Sequence, residues 1–178
     1  SRLESGDVEA AIAEGADHVH VSGYVLLDPA TRSVGAGALA TARAVGATTS
    51  VDVCSVAPLR AMGAAAFLAA AVQAQTLFAN EEEALALTGA GDAARAEAEL
   101  SKLFDEVVIT LGPRGASARR GREGWATNSW TADAVDTTGA GDAATGAYLG
   151  ARLSGVEPGE AIERAMVAAA RVVGTLGA

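Results

Sequence analysis

The segment Asp136-Thr-Thr-Gly-Ala-Gly-Asp142 joins a turn of small residues to the helix-forming run AATGAYLGARL, and it sets an acid at the joint. Gly139, Ala140 and Gly141 carry little or no side chain, so their backbone N–H groups can approach an anion closely. The helix that follows leaves its first N–H groups without intrahelical partners and presents the positive end of its dipole to the same place. A phosphoryl group suits such a cradle. Asp142 does not, because a carboxylate beside a phosphate is repelled unless it accepts a proton from an attacking hydroxyl or helps to hold a metal. Chemistry at phosphorus is therefore one reading. The other is an ordinary turn and helix cap, with Asp142 merely complementing the dipole.

Two further segments carry polar groups to the ends of apolar runs. Asn80 can cap a helix over Glu81 to Leu87 that ends at Gly89, with Glu83 as the reciprocal residue of the cap. Val107-Val108-Ile109-Thr110 is an apolar, β-branched run stopped by Gly112 and Pro113, the pattern of a strand buried on both faces. The Asp136 to Asp142 segment has neither the GxxxxGK[ST] spacing of a P-loop nor the spaced GxGxxG of a dinucleotide site, which argues against a nicotinamide oxidoreductase.

The elements that must position these segments alternate along the chain. Val8 to Glu14 reads as the end of a helix, ADHVHVSG as a short strand, Gly37 to Val45 as a helix with Leu39, Ala42 and Val45 on one stripe, and TTSVDV as a second strand. Leu59, Met62, Ala66, Phe67 and Ala70 recur at helical spacing, and Gln75 to Phe78 is extended. GASARR followed by GWAT predicts a hairpin-like pair, and Trp130 to Val135 an extended stretch. The last helix carries Ala161, Ile162, Ala165, Met166, Ala169, Val172, Val173 and Leu176 on one continuous stripe. With no repeats or linkers, the pattern predicts one α/β layer structure with a mainly parallel sheet. Ligands in such sheets bind beyond the carboxyl ends of the strands, which is where Asn80, Thr110 and the Asp142 segment fall.

Half of the 178 residues are hydrophobic but only 4% are aromatic, so the core is built largely of Ala, Val and Leu. A net charge of −9 argues against nucleic acid or an anionic membrane as the main partner. The single cysteine, Cys54, excludes an internal disulfide and fits a reducing compartment, where it would be a buried small residue. The apolar run Ala61 to Val72 is too short for a membrane span. Arg2, Glu4, Asp7, Glu9, Glu14 and Asp17 stand where a signal peptide would be apolar, so a cytoplasmic protein is expected.

Several other residues have plain readings. His18 and His20 share one face of a strand and suit packing or hydrogen bonding better than a metal, since no third ligand stands near them in sequence. Asp52 ends a strand, either as a turn former or facing a cleft. Trp125 and Trp130 read as packing anchors, Arg119, Arg120 and Arg122 as exposed charges at a hairpin tip, and Glu81 and Glu82 as solvated carboxylates.

The DTTGAGD segment closely resembles the second signature of the PfkB (ribokinase-like) family of carbohydrate and nucleoside kinases. Other landmarks follow in the family's order. NEEEALALTG from Asn80 resembles its Asn-x-x-Glu segment, VVITLGPRGA from Val107 its nucleotide-binding strand and turn, and the closing GTLGA its segment after the adenine-side helix. The sequence departs from the pattern at Ala144, where an aromatic residue is usual, and near Met166, where an Asn is common.

The resemblance implies a three-layer α/β/α fold with a mainly parallel sheet. Residues 1–178 would be the C-terminal portion of a single kinase domain whose N-terminal part and lid strands are absent. It implies ATP-dependent transfer of a phosphoryl group to an alcohol of a sugar or nucleoside, with Asp142 as the base and Gly139, Ala140 and Gly141 as the anion hole. Thr110, Gly112 and Gly115 would bind nucleotide, and Asn80 and Glu83 would serve Mg2+ and phosphates. Asp136 and Thr138 would belong to a monovalent-cation loop for K+. The expected partners are a small-molecule acceptor and, in the complete protein, a second copy in a homodimer. A non-catalytic nucleotide-binding relative or truncated fragment, with a binding or regulatory role, is the alternative. A chain lacking the acceptor side should bind ATP–Mg weakly and transfer phosphate poorly.

Overall fold

A computed structural model describes residues 5–128 and 139–173, and the chain divides into two compact units, 1–107 and 108–178. In the first, α1 (Ser5–Ala13) leads to β1 (His18–Ser22), α2 (Gly23–Leu27), α3 (Arg32–Ala44) and β2 (Thr48–Asp52). Then come α4 (Val56–Met62), α5 (Ala64–Ala70), β3 (Thr76–Asn80), α6 (Glu81–Thr88), α7 (Ala93–Leu100) and the start of β4 (Glu106–Thr110). The strands lie in chain order, β1-β2-β3-β4. β1 pairs parallel with β2, His18 opposite Thr48 through Ser22 opposite Asp52, and β2 pairs parallel with β3, Ser50 opposite Thr76 through Asp52 opposite Phe78. Parallel pairing brings the strands' carboxyl ends, Ser22, Asp52 and Asn80, to one edge.

β2 is a polar strand that is nonetheless buried. Thr49 and Ser50 are fully inaccessible, which is tolerable only because their polar groups are matched. The Thr49 hydroxyl donates to the Gln73 carbonyl at 2.7 Å and accepts the Gln75 N–H at 3.1 Å, while the Thr49 N–H donates to the Gln75 side chain at 3.1 Å. The Glu106 N–H then donates to the Gln75 carbonyl at 3.0 Å, tying the start of β4 to the start of β3.

Three details differ from the periodicity. α3 begins at Arg32 rather than Gly37, and Val45 lies past its end and is half exposed, so the buried stripe is Val34, Gly35, Ala38, Leu39 and Ala42. The run from Leu59 to Ala70 is two helices, broken at Gly63, whose φ of 90° only glycine adopts easily. Leu59 and Phe67 are buried, one from each helix, whereas Ala66 is exposed. The short helix α2 had no pattern of its own, because Gly23 to Leu27 spans little more than one turn.

The second unit starts within β4, whose Val107, Val108 and Ile109 are buried as expected of a two-sided strand. A 3-10 turn over Gly112–Arg114 leads into β5 (Ala116–Arg120) and β6 (Glu123–Thr127), an antiparallel hairpin with Arg120 opposite Glu123. Arg120 and Arg122 are exposed at its tip, as predicted, whereas Arg119, further back on β5, is half-buried. α8 (Ala140–Leu153) and α9 (Pro158–Val173) follow. α8 buries Ala144, Thr145, Tyr148 and Ala151, and α9 buries Ala161, Ile162, Ala165 and Met166, both at helical spacing. Trp125 acts as the expected packing anchor, for its indole lies against Gly159, where any β-carbon would press into the ring. Leu176 and the segment Trp130 to Val135 lie outside the described residues.

Candidate active site

The start of α8 is built to stay open. Gly139 at its N-cap has a φ of 78°, in the left-handed region, and brings no side chain to cap the first turn. The Gly139 carbonyl accepts the Ala143 N–H at 2.9 Å, which begins the helical ladder. Helix geometry leaves the N–H groups before it without intrahelical partners. At Gly141 a β-carbon would meet no atom within 4 Å, and Gly141 and Asp142 are both exposed. A β-carbon built at Gly139 would lie 3.8 Å from Val172 of α9. The backbone at Gly141 is approachable from outside, with a carboxylate on the first turn. Asp136 and Thr138 lie outside the described residues.

The start of α6 is closed. The Asn80 side chain accepts the Glu83 N–H at 2.9 Å and the Glu83 carboxylate accepts the Asn80 N–H at 2.8 Å, a complete capping box. Glu83 is 4% exposed whereas Asn80 is exposed. Burial pushes the Glu83 carboxyl above its ordinary value, the nearby charges of Asp52 and Glu82 push the same way, and the Asn80 N–H opposes them. Glu82 is solvated, 3.8 Å from Arg60. Gly89 ends the helix in the left-handed conformation, with φ 70°.

In the β4 turn the two glycines differ. Gly112 has a φ of 58° and open space around it. Gly115 is buried, and a β-carbon there would overlap the Thr127 carbonyl oxygen of β6. Gly115 is thus required by the close approach of two backbones, while Thr110 and Gly112 remain accessible to a ligand.

At the carboxyl ends of β1 and β2 lies a group that composition did not single out. Asp52 is the turn former, its carboxylate accepting the Cys54 N–H at 3.1 Å and holding Cys54 at a φ of 69°. Cys54 is half-buried rather than buried, with its sulfur 3.3 Å from the Ser22 hydroxyl. Burial raises the thiol's pKa, and the Asp52 charge adds to that. Gly23 fits only because it has no side chain, since a β-carbon would overlap the Asp52 carbonyl. The signal for this contact was the Ser-Gly ending the first strand, which is too common to be read alone.

The chain matches the model of the pfkB family carbohydrate kinases over residues 2–178, and it belongs to that family. It is 30% identical over 185 residues to a 2-dehydro-3-deoxygluconokinase of Thermoproteus tenax, covering 99% of this chain and 55% of that protein. Among solved structures it is similar to adenosine kinase from Sinorhizobium meliloti, with TM-score 0.86 and 26% identity over 98% of this chain and 52% of the other. A structure from Escherichia coli described as a ribokinase II, in complex with ATP and Mg2+, gives TM-score 0.88 and 26% identity over 98% and 58%. The fold is thus the three-layer ribokinase-like α/β class with a mainly parallel sheet. The chain spans about half the length of each of these relatives.

Proposed function

We propose that this chain is the phosphate-handling part of an ATP-dependent phosphotransferase that acts on an alcohol of a sugar or nucleoside. The observation that carries the reading is the uncapped start of α8, with Gly139 and Gly141 holding the backbone open and Asp142 on the first turn. Backbone N–H groups from Gly139 to Gly141 would face the transferring phosphoryl. Asp142 would take the proton of the acceptor hydroxyl as its oxygen bonds to the γ-phosphorus and the bond from that phosphorus to ADP breaks. Neither Cys54 nor a histidine stands beside this helix start in sequence, which favours direct in-line transfer over a covalent enzyme intermediate.

The donor set suits ATP with Mg2+. Magnesium is held by one or two carboxylates together with phosphate oxygens and water rather than by a protein cage. Among the described residues no group of three or more His, Cys, Asp or Glu could hold an ion. Asn80 and Glu83 would serve it from the start of α6, through the second lone pair of Asn80's one side-chain oxygen and the Glu83 oxygen that the cap does not use. Bound magnesium would neutralise charge on the phosphates. Thr110 and Gly112 would contact the nucleotide, with Gly115 shaping their turn, and Asp136 and Thr138 would hold K+. This work belongs in the cytoplasm.

The relatives are named for a keto-deoxy sugar acid and for adenosine, which supports an acceptor among sugars, sugar acids and nucleosides. The test is ADP release against a panel of sugars, sugar acids and nucleosides, using the protein as produced from its own reading frame. Acceptor-dependent release is expected. ATP binding without release under any acceptor would favour a nucleotide-binding protein instead.

A further inference from the structure

His18 and His20 are the two histidines of the chain, and the proposed transfer uses neither. Residues two apart on a strand share a face, and on β1 these two stand opposite two hydroxyl residues of β2, Thr48 and Ser50. His18 Nε2 and His20 Nδ1 each lie 2.8 Å from the same Ser50 oxygen. Two imidazole nitrogens thus converge on one atom, on a face where His20 is exposed and His18 half-buried. Both rings are oriented by neighbours. His18 Nδ1 is 2.7 Å from the Thr48 hydroxyl, and Phe78 of β3 meets the His20 ring edge-on with centroids 6.3 Å apart.

We propose that His18 Nε2 and His20 Nδ1 chelate a borderline divalent cation, Zn2+, Ni2+ or Cu2+, using residues other than those proposed for magnesium. Imidazole nitrogen suits these ions, whereas Mg2+ demands oxygen ligands. Zinc sits about 2.0–2.1 Å from each imidazole nitrogen, so the rings close on it by side-chain rotation, starting from nitrogens already gathered around one oxygen. Among the described residues no third His, Cys, Asp or Glu completes a cluster, and water fills the remaining positions. The requirement is the same whichever way the hydrogen bonds run without the ion. Each ring offers one lone pair and carries its proton on the other nitrogen. For His18 that nitrogen is Nδ1, where the Thr48 hydroxyl can accept the proton as the outer partner of a metal-bound imidazole.

The test is calorimetric titration of the intact chain, made without a polyhistidine tag, with Zn2+ in a buffer whose excess Mg2+ occupies oxygen-lined sites. Expected is saturable binding that His18→Asn and His20→Asn each weaken by roughly tenfold or more. Cys54→Ser should leave it unchanged, since the thiol is not a ligand. Nitrogen-15 NMR of the imidazoles should show Zn2+ moving His18 Nε2 and His20 Nδ1 together, while His18 Nδ1 and His20 Nε2 keep their protons. No binding, zinc held by one ring only, or binding that survives both histidine substitutions but not Cys54→Ser would overturn the proposal.

Discussion

Two helices of this chain begin in opposite ways. At α6 the first turn is sealed by a reciprocal cap, its glutamate is buried, and an acidic run adds further complement to the dipole. At α8 a left-handed glycine stands at the N-cap, with no cap bond from a side chain of its own, and the acid on the first turn is exposed. Both starts carry a negative charge, yet only one needs a partner from outside. A capped helix start has satisfied its own N–H groups, whereas an uncapped one holds them ready for an anion. An Asp beside such a cradle costs anion binding, a cost that the proposed proton transfer would offset.

The comparison breaks most readily at Asp142. In the complete enzyme Asp142→Asn should lower acceptor-dependent ADP release by roughly 10²-fold or more while ATP affinity changes little, since the substitution removes the base and leaves the backbone cradle. Steady-state kinetics with a separate ATP titration gives both numbers, and turnover near that of the unaltered protein would exclude Asp142 as base. Next in size is Gly141→Val. A β-branched side chain at the exposed glycine should weaken both nucleotide binding and transfer, read by titration with a non-hydrolysable ATP analogue. The fold should survive, because the site has room for the side chain.

At α6, apart from the proposed magnesium role of Asn80 and Glu83, effects on stability are expected. Asn80→Ala removes the side-chain half of the capping box and should cost about 1 kcal/mol, measured by urea unfolding. The smallest effect belongs to Glu83→Gln, which keeps an acceptor for the Asn80 N–H but removes a buried charge. Below 4.5, both the folded and unfolded chains hold the Glu83 proton. As pH rises from there the unfolded chain releases it first, so stability falls until the folded carboxyl has also ionised. Glu83→Gln should flatten that fall, and an unchanged pH profile between 4 and 7 would show that the buried charge is not felt.

The contrast between the helix starts was partly legible in the residues. The Asn80 and Glu83 cap could be read because it needs only two polar side chains three residues apart, and β4 could be read from the apolar, β-branched run Val107 to Thr110. The family signature pointed to Asp142. What could not be read were features set by distant backbone. Gly63 splits one apparent helix, Gly115 is small because β6 passes it, and Val45 falls outside the buried stripe because its helix has already ended. The contacts of His18 and His20 were equally hidden, since they depend on which hydroxyl of β2 meets which ring nitrogen.

The most direct test of the contrast is to titrate the nitrogen-15-labelled chain with a non-hydrolysable ATP analogue in the absence of magnesium and follow the backbone amides of both helix starts. The account predicts that the amides of Gly139, Ala140 and Gly141 shift in a saturable way, that Glu83 and its neighbours in the first turn of α6 stay in place, and that Gly141→Val abolishes the response. Shifts confined to α6, with Gly139 to Gly141 unmoved, would contradict it.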